Sequence, residues 1–510
     1  MEINRKKNAL LGTINGIALR FTQILFPFII RTIFIKTIGI EYLGLNSLFT
    51  SILQVLNRAE LGVSSALVFS MYRPIAEGDT SKVCQLMNLY KLYYWIIGAV
   101  ILIIGLCLIP MLRILVKRDL PDNINLYVLY AMHLSTTVLS YWLFAYRNSL
   151  FLAHQRNDVI SLISLVIYII LYSLQILALL ISNSYYLYLS LVISAQIIIN
   201  LVTAYYSKKY YPQYSPEGML PSEERREINH KVQYLFTAKI GGVVNNSADS
   251  IVISAILGLS ILGVYQNYYF IISAAISFIS IFFLACVAGV GNSLVVNNTN
   301  QNRKLLYNIN HIEFFLINVC CACFLCVCQP FINLWVGKDY LLDFRFVILF
   351  TIYLFVELAP RTLLLFKDAG GIWKEDRFRP LIAAGANLIM NLILTTRIGL
   401  YGIIISTISA LFFIAYPWLI VNINKHLFEI NLKKYVFRTA FYTFVITFDT
   451  VACYFLCTKM FFGSDLVTVV VRFVLTAILS SLLFVVLTLK FAENKYMLGE
   501  FKRILKKVIN

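Results

Sequence analysis

Long apolar stretches recur along nearly the whole chain. A helix needs roughly 20 consecutive, mainly apolar residues to cross the hydrocarbon core of a bilayer. The 510 residues are 60% hydrophobic and only 13% charged, and the mean hydropathy is +0.78, whereas soluble domains contain about 25% charged residues. The sequence therefore predicts an all-α polytopic membrane protein with little mass outside the bilayer.

The apolar stretches predict fourteen transmembrane helices. They cover about residues 10–36, 42–72, 89–116, 125–152, 158–182, 185–207, 233–257, 261–289, 306–328, 344–368, 379–397, 400–422, 437–458 and 466–489. An even number of spans places both termini on one side. Most of the 43 Lys and Arg then fall on the side of the termini, so the positive-inside rule predicts that both termini are cytoplasmic. The basic N-terminus is followed by an apolar stretch too long for a signal peptide, so we expect the first helix to be retained.

The two halves of the sequence resemble each other, which indicates an internal repeat. A first alignment places IGIEYLGL over LGLSILGV and, without a gap, pairs Arg20 with Lys239. A second alignment places LFAYRNSLFL over ELAPRTLLLF and pairs Arg147 with Arg361. Equivalent positions are six helices apart, so both repeats have the same orientation in the membrane. The sequence thus predicts two parallel pseudo-symmetric six-helix lobes plus two extra C-terminal helices, and we expect a transport path between the lobes.

One sizeable soluble segment, SKKYYPQYSPEGMLPSEERREINHKV, lies near the middle of the chain. Its three Pro and mixed charge are typical of a linker. The predicted organisation is an N-lobe at residues 1–207, a cytoplasmic linker at 208–232, a C-lobe at 233–422, helices 13 and 14 with the preceding loop at 423–490, and a basic cytoplasmic tail at 491–510.

Ionisable side chains inside the spans are the main candidates for a functional site, because a charge at a helix centre costs at least about 2.5–3.5 kcal/mol. The embedded basic residues outnumber the embedded acids. A cavity with excess positive charge suits an anionic substrate, and Arg binds phosphate through paired hydrogen bonds. We therefore predict anion contacts in a cavity from Arg20, Arg31, Arg58, Lys239, Arg361 and Arg147, with Glu60 and Asp249 as coupling or partner acids.

Spacing decides which of these charges share a helix face. Arg20 and Arg31 are eleven residues apart and lie on nearly the same face of helix 1. Arg58 and Glu60 are two residues apart, so they point to nearly opposite sides of helix 2 and cannot pair along it. One of them can line a cavity while the other contacts a neighbouring helix. An ion pair between Arg58 and an acid of another helix is the structural alternative.

The other embedded cations also have structural explanations, which the sequence leaves open. Arg20, Lys239 and Arg147 are near enough to the inner surface to extend their charges to it. Arg361 lies four residues after Glu357, a spacing that allows an ion pair on one helix.

Two further groups in the spans are assigned to packing. Arg472 and Asp449, on the two extra helices, are expected to pair with each other. Five Cys fall in the apolar segment HIEFFLINVCCACFLCVCQP. No second set of Cys or His completes a metal site there, so we expect these Cys to act as small apolar side chains at a helix interface.

Motifs of soluble enzymes are absent from the sequence. There is no P-loop, no HExxH, no nucleophile elbow and no Rossmann fingerprint, and the five His are scattered. We therefore predict no catalytic site, no cofactor and no metal. The net charge of +18 is spread over short loops, where topology explains it without nucleic acid as a partner.

Two segments carry a family resemblance. TIFIKTIGIEYLGLNSLFTSILQVLNRAELGVSSALVFSMYRPIAEGD resembles the opening of bacterial polysaccharide-biosynthesis flippases, the Wzx-type repeat-unit translocases. IWKEDRFRPLIAAGANLIMNLIL resembles the segment that enters helix 11 in the same group. The likeness covers nearly the whole chain and includes the arrangement of twelve plus two helices. It implies the two-lobe fold of the multidrug/oligosaccharidyl-lipid/polysaccharide exporter superfamily.

The resemblance also implies a function. Such proteins move undecaprenyl-pyrophosphate-linked oligosaccharide repeat units across the bacterial cytoplasmic membrane by alternating access, for cell-surface polysaccharide biosynthesis. Cavity arginines of relatives are thought to engage the pyrophosphate or acidic sugars, and the matching positions here are Arg20, Arg31 and Arg58, with Lys239 across the repeat. Helices 13 and 14 are thought to form a groove for the lipid tail. The implied partners are a lipid-linked anionic oligosaccharide, membrane lipids, a polysaccharide polymerase and other export proteins; we expect a monomer.

Two other functions compete with the flippase. A multidrug or cation antiporter of the same fold needs an acidic cavity and usually has twelve helices, so the cation excess and helices 13 and 14 argue against it. A membrane glycan polymerase or ligase needs a large external loop with catalytic residues, and the predicted external segments are short. A membrane protein without transport is disfavoured by the repeat.

Overall fold

The computed structural model of the chain describes residues 5–57, 60, 62–116, 120–121, 124–460 and 465–509, and every regular element in those ranges is helical. The side chains of residues 5–10, 13, 234–246, 460 and 504–509 fall outside the description. The chain divides into two compact units, Met1–Gly263 and Val264–Asn510. The prediction of an all-α protein is therefore confirmed for the described ranges.

The first unit is built from helices whose starts are often capped by a polar side chain. Asp79 accepts a hydrogen bond from the backbone N–H of Lys82 at 2.9 Å, and Asn125 accepts one from that of Tyr127 at 3.0 Å, which satisfies amide groups that lack a partner in the first turn. The helices are α1 Arg5–Thr37, α2 Ile40–Asn57, α3 Val63–Glu77, α4 Thr80–Leu108, α5 Leu112–Leu115, α6 Leu126–Trp142, α7 Asn148–Ala153, α8 Asn157–Ser182, α9 Tyr185–Tyr210 and α10 Ser222–Ile256.

The second unit continues from α11, Leu259–Val296, which begins shortly before the boundary of the units. Asn298 and Gln301 form a capping box at the start of the next helix, a reciprocal arrangement of two side-chain hydrogen bonds. The helices are α12 Thr299–Trp335, α13 Phe344–Leu358, α14 Arg361–Ala369, α15 Trp373–Asp376, α16 Arg379–Ile398, α17 Leu400–Ser409, α18 Tyr416–His426, α19 Leu432–Met460, α20 Leu466–Leu487 and α21 Ala492–Ile509.

Among the described residues, eleven helices are long and apolar enough to cross a bilayer, or twelve if the bent pair Leu126–Trp142 and Ala145–Ala153 forms one span. The chain is therefore a multi-pass integral membrane protein. The remaining two predicted spans, 42–72 and 233–257, correspond to the divided pair α2 and α3 and to the C-terminal part of α10. The number fourteen and the cytoplasmic placement of both termini stay predictions.

The predicted single helix at 42–72 is wrong, because α2 ends at Asn57 and α3 begins at Val63. Gly62, which precedes α3, has φ 113°, a left-handed conformation that only glycine adopts without steric cost. The break lies beside Glu60, and the predicted site residue Arg58 lies outside the described residues. The apolar pattern alone did not reveal the break, since the residues on both sides continue it.

Two more of the predicted helices are divided next to a predicted site arginine. The chain bends by 48° between α6 and α7, where Phe144 has φ 56° and a short 3-10 turn ends at Arg147. Helix α13 ends at Leu358, and α14 begins at Arg361 after Pro360. The second alignment pairs Arg147 with Arg361, so the helix is interrupted next to both equivalent arginines, and of these two interruptions only the one at Arg147 bends the chain by more than 40°.

The segments of the first alignment are also matched in conformation. Gly39 has φ 117° and Gly258 has φ 106°, and both end a helix. The N–H of Gly39 donates to the carbonyl oxygen of Phe34 at 3.3 Å, and that of Gly258 donates to the carbonyl oxygen of Ile253 at 3.1 Å. The first alignment pairs the two glycines and also the two acceptor residues, so the repeated sequence forms a repeated helix end.

Glycines of the same segments make a reciprocal contact within the first unit, between α2 and the first turn of α11. A Cβ at Gly44 would clash with the carbonyl oxygen of Leu259, and a Cβ at Gly263 would clash with that of Ile40. Gly44 and Gly263 are equivalent in the first alignment, as are Ile40 and Leu259. The contact is therefore reciprocal between equivalent positions of the two aligned segments.

The packing of the second unit tests two predictions, the Arg472–Asp449 pair and the packing role of the Cys-rich segment. Asp449 accepts hydrogen bonds from Asn318 and, at 3.4 Å, from Cys453, and no ion pair joins it to Arg472 among the described contacts. The predicted Arg472–Asp449 pair is therefore wrong. Cys326 and Cys457 belong to a buried cluster with Ala322 and Cys453 between α12 and α19, which confirms the packing role predicted for the Cys-rich segment.

Only residues 211–221 of the predicted linker at 208–232 are free of helix, since α9 extends to Tyr210 and α10 begins at Ser222. This segment and the first turn of α10 both contact α4. The side-chain amide of Asn88 donates to the carbonyl oxygen of Gly218 at 2.8 Å, and Lys82 forms an ion pair with Glu224.

Candidate functional site

Glu60 is the centre of a hydrogen-bonded cluster at the break between α2 and α3. Its carboxylate accepts hydrogen bonds from the hydroxyl groups of Tyr94 on α4 and Tyr141 on α6, the second at 3.2 Å. The Tyr141 hydroxyl also lies 2.9 Å from the carbonyl oxygen of Asn57 and within hydrogen-bond distance of its side-chain oxygen, so these acceptors share its single proton with Glu60. The hydroxyl of Tyr90 lies 2.9 Å from that of Tyr94. A carboxylate inside an apolar span needs such donors, because an unpaired charge there is costly.

The cluster borders a polar cavity of about 280 Å³ in the first unit. Most of its walls are formed by hydroxyl and amide side chains, and Glu60 contributes a carboxylate. The lining residues are Asn57, Glu60, Tyr94, Ser140, Tyr141, Phe144, Ala145, Asn148, Ile160, Ser164, Tyr168, Gln196, Ile199, Asn200 and Thr203. A polar space of this kind beside an intramembrane acid is typical of an ion or substrate path.

The predicted cations of helix 1 are both on α1 but differ in environment. Arg20 is exposed, and Arg31 is half-buried. Arg31 interacts electrostatically with Tyr188 of α9, whose hydroxyl is hydrogen-bonded to the buried side chain of Gln175. Arg31 is thus held in a polar contact inside the first unit, whereas Arg20 is accessible.

Arg58 lies outside the described residues, and Lys239 lies in α10 with its side chain outside the description. Asp249, also on α10, is buried. The convergence of these side chains with Arg20 and Arg31 on one anion site therefore stays a prediction.

The repeat-related arginines occupy different local environments. Arg147 has its guanidinium 5.8 Å from the ring centre of Tyr146, and its buried Nη1 has no hydrogen-bond partner among the described residues. Arg361 pairs with Glu357 at 2.7 Å and donates to Ser280 at 3.3 Å. The ion pair that the spacing allowed is therefore present for Arg361, and anion binding by either arginine stays a prediction.

Two partners of Glu60 were missed by the sequence reasoning. Tyr94 and Tyr141 are 34 and 81 residues away from Glu60, so no local pattern links them to it. The signal that was available is the spacing of Tyr90 and Tyr94, which places two hydroxyl groups on one face of an apolar helix.

Glu313 on α12 is a second intramembrane acid that was missed. It is almost wholly buried, accepts a hydrogen bond from Asn310 at 2.8 Å and accepts another from the backbone N–H of Thr362 at 2.9 Å. Thr362 is in the first turn of α14, where unpaired N–H groups attract a carboxylate. Glu313 thus caps the helix that restarts after Pro360. The cost of a charge inside an apolar stretch was the signal that should have identified it.

An apolar cavity of about 470 Å³ lies in the second unit. It is enclosed by α12, α13, α19 and the helical segment around the π-helical turn Ala410–Ala415. Side chains of α19, the thirteenth predicted helix, contribute Thr443, Ile446, Thr447, Thr450 and Val451 to its wall. A space with such a lining suits a hydrocarbon chain. In the described part of the chain, no group of His, Cys, Asp or Glu is arranged to hold a metal ion.

Comparisons with known proteins identify a family and a shared fold for this chain. A family profile described as polysaccharide biosynthesis protein matches residues 10–287. The lipid II flippase MurJ in an inward closed conformation superposes with a TM-score of 0.65 at 15% identity, covering 92% of this chain and 98% of that one. No curated protein sequence matches the chain.

Two further structures belong to a multidrug resistance MATE family transporter of the MOP superfamily. The inward-facing one superposes with a TM-score of 0.56 at 14% identity, over 78% of this chain and 93% of that one. The outward-facing one superposes with a TM-score of 0.54 at 14% identity, over 82% and 95%. At such identities, these likenesses show that the chain shares the fold.

Proposed function

Because this chain belongs to the polysaccharide biosynthesis protein family, we propose that it is a flippase for lipid-linked oligosaccharides. It moves undecaprenyl-pyrophosphate-linked repeat units from the inner to the outer leaflet of a bacterial cytoplasmic membrane, for cell-surface polysaccharide biosynthesis. The observation that carries the proposal is the family match over residues 10–287, together with a fold shared with a lipid II flippase.

The anionic end of the substrate requires cations inside the membrane. Arg20, Arg31, Arg58 and Lys239 are assigned to the pyrophosphate, with Arg147 and Arg361 as further contacts. Arg20 is exposed, and the buried Nη1 atom of Arg147 lacks a partner in the described part of the chain. Both observations support this assignment, because such donors are available to an anion. Export of each negative charge is favoured by an inside-negative potential, by about 2.3 kcal/mol per 100 mV.

The polyprenyl tail requires an apolar surface. The 470 Å³ cavity beside α19 supports a role of the two additional helices in holding this tail, because its lining is almost entirely hydrocarbon.

Alternating access is the proposed transport mechanism. Solved structures of the same fold include inward-facing and outward-facing forms. Gly44 lies against the backbone carbonyl of Leu259, and Gly263 lies against that of Ile40. This contact is proposed to be a closed gate on the extracytoplasmic side. Glycine allows the two backbones to approach closely, and no side chain has to separate when the gate opens. Glu60 and Asp249 are the proposed coupling acids, and the polar cavity lined by Glu60 supports this role for one of them.

The experiment that tests this function deletes the protein in its host and measures where lipid-linked oligosaccharide accumulates. The proposal predicts accumulation in the cytoplasmic leaflet and loss of surface glycan, both restored by the intact chain. Normal glycan export combined with altered efflux of a cationic dye would instead support the antiporter. Shortened glycan chains with normal appearance of single repeat units outside would support a polymerase or ligase.

A further inference from the structure

The first unit has a groove on its lateral surface that is polar at one end and apolar along its length. The groove has a volume of about 670 Å³ and is formed by α1, α8 and α9. Its apolar wall includes Leu162 and Val166 of α8, each about half exposed, and Val202 of α9. It belongs to a different surface from the polar cavity around Glu60 and from the apolar cavity of the second unit.

The polar end of the groove is organised around Arg156 at the start of α8. The Nε and Nη2 atoms of Arg156 donate to the carboxylate of Asp158 at 2.9 and 3.1 Å, and its guanidinium lies 5.5 Å from the ring centre of Tyr210. The side chain of Asn15 on α1 donates to the backbone carbonyl of Asp158 at 3.2 Å. These contacts hold a guanidinium at the mouth of the groove and join the three helices that form it.

The length of the groove corresponds to one leaflet. The α8 residues that line it run from Arg156 to Ile167, a rise of about 16 Å. Half of the hydrocarbon core of a bilayer is about 15 Å thick. The exposed Tyr205, Tyr206 and Tyr210 lie near the polar end, where amphipathic aromatic rings mark the boundary between headgroups and acyl chains.

The end of the groove near Arg156 lies beside the C-terminus of α9, which carries two exposed cations. Lys208 and Lys209 lie in the last turn of that helix. The one acid that lines the groove, Asp158, is already paired with Arg156. Under the predicted orientation, this end faces the cytoplasmic leaflet, whose anionic lipids attract Lys and Arg near the surface.

We propose that this groove is a binding site for an anionic phospholipid of the cytoplasmic leaflet. The phosphate sits at the mouth, near the free edge of Arg156 and the Lys pair of α9, and one acyl chain lies along α8. The occupant is a resident lipid and not the transported one. The groove ends about one leaflet deep, which matches an ordinary acyl chain and is short for a polyprenyl tail.

The test measures lipid binding to the purified full chain by native mass spectrometry, with phosphatidylglycerol and phosphatidylethanolamine titrated separately. We expect one tightly bound phosphatidylglycerol, with phosphatidylethanolamine weaker by about tenfold because it lacks the net charge that the Lys pair attracts. Val166→Trp fills the groove and should remove this tight site. Leu174→Trp, at a similarly exposed position of α8 outside the groove, should leave it intact.

A second variant tests the same lipid site without changing the apolar wall of the groove, in case Val166→Trp disturbs folding. Lys208→Gln combined with Lys209→Gln should weaken phosphatidylglycerol binding by about tenfold and leave phosphatidylethanolamine binding unchanged. Equal binding of the two lipids, or equal binding by the Val166→Trp and Leu174→Trp variants, would overturn the proposal. Displacement of phosphatidylglycerol from the groove by a lower concentration of undecaprenyl phosphate would assign the site to the transported lipid and overturn it as well.

Discussion

At Glu60, one carboxylate is held by tyrosine hydroxyls from two other helices. The sequence identified Glu60 because a charge inside an apolar stretch is visible without a structure. It did not identify Tyr94 and Tyr141, because tyrosine is common in this chain and the contacts join residues far apart in sequence. Glu313 could have been found by the argument that found Glu60, whereas the partners of either acid depend on how the helices pack.

We predict that Glu60→Gln lowers glycan export by about tenfold. The carboxylate accepts one hydrogen bond on each oxygen, whereas the amide of glutamine has only one acceptor oxygen. A hydrogen bond to a charged group contributes about 1.5–3 kcal/mol. Tyr141→Phe should lower export less, because Tyr94 still donates. The measurement is surface glycan per amount of protein in the membrane. Tyr168→Phe is the matched control, since Tyr168 lines the same cavity without a hydrogen bond to Glu60 in the described contacts. Export by Glu60→Gln at the level of this control would remove Glu60 from the mechanism.

Arg58 allows a separate prediction about the anion site. Arg58→Ala should abolish export, and Arg58→Lys should retain part of it, because lysine keeps the charge but loses the paired hydrogen bonds of the guanidinium. Surface glycan and protein abundance are measured together. If both variants export glycan at the normal rate, Arg58 does not contact the substrate.

Helix breaks are the feature that periodicity predicted least well. The predicted spans 42–72, 125–152 and 344–368 each consist of two helices, because apolar residues continue across the breaks. The individual causes were visible as Gly62 and Pro360, but Phe144 in a left-handed conformation was not predictable from its residue type. The positions of most other helices agree with the apolar pattern to within a few residues.

The glycine contact between α2 and α11 provides a prediction at this scale. Gly44→Val should reduce export by about tenfold or more, because its side chain would force the two backbones apart and packing strain of this kind costs about 1–3 kcal/mol. Gly263→Val should have the same effect at the equivalent position of the other repeat. Gly16→Val on α1 is the control, since a Cβ at Gly16 meets no heavy atom within 4 Å outside its own helix backbone and chain neighbours. Export is measured at equal membrane abundance; normal export by both Gly44→Val and Gly263→Val would exclude the contact as a gate.

For the whole molecule, the repeat was the most informative prediction. The first alignment relates two helix ends, two positive-φ glycines and a reciprocal contact, and the second alignment relates two helix breaks. The repeat was detectable because glycine and embedded arginine stand out in an apolar sequence. The convergence of the predicted cations on one site stays a prediction, since it depends on helix rotation and on the conformations of long side chains.

Transport of a lipid-linked oligosaccharide by the purified chain is the most direct test of the proposed function. The chain is reconstituted in liposomes with an undecaprenyl-pyrophosphate-linked oligosaccharide, and the fraction of glycan exposed outside is followed over time with an impermeant glycan-cleaving enzyme. The account predicts protein-dependent transfer between leaflets that is lost in the Arg58→Ala variant. Absence of transfer by the intact chain, in liposomes where it drives efflux of a cationic dye, would contradict the account.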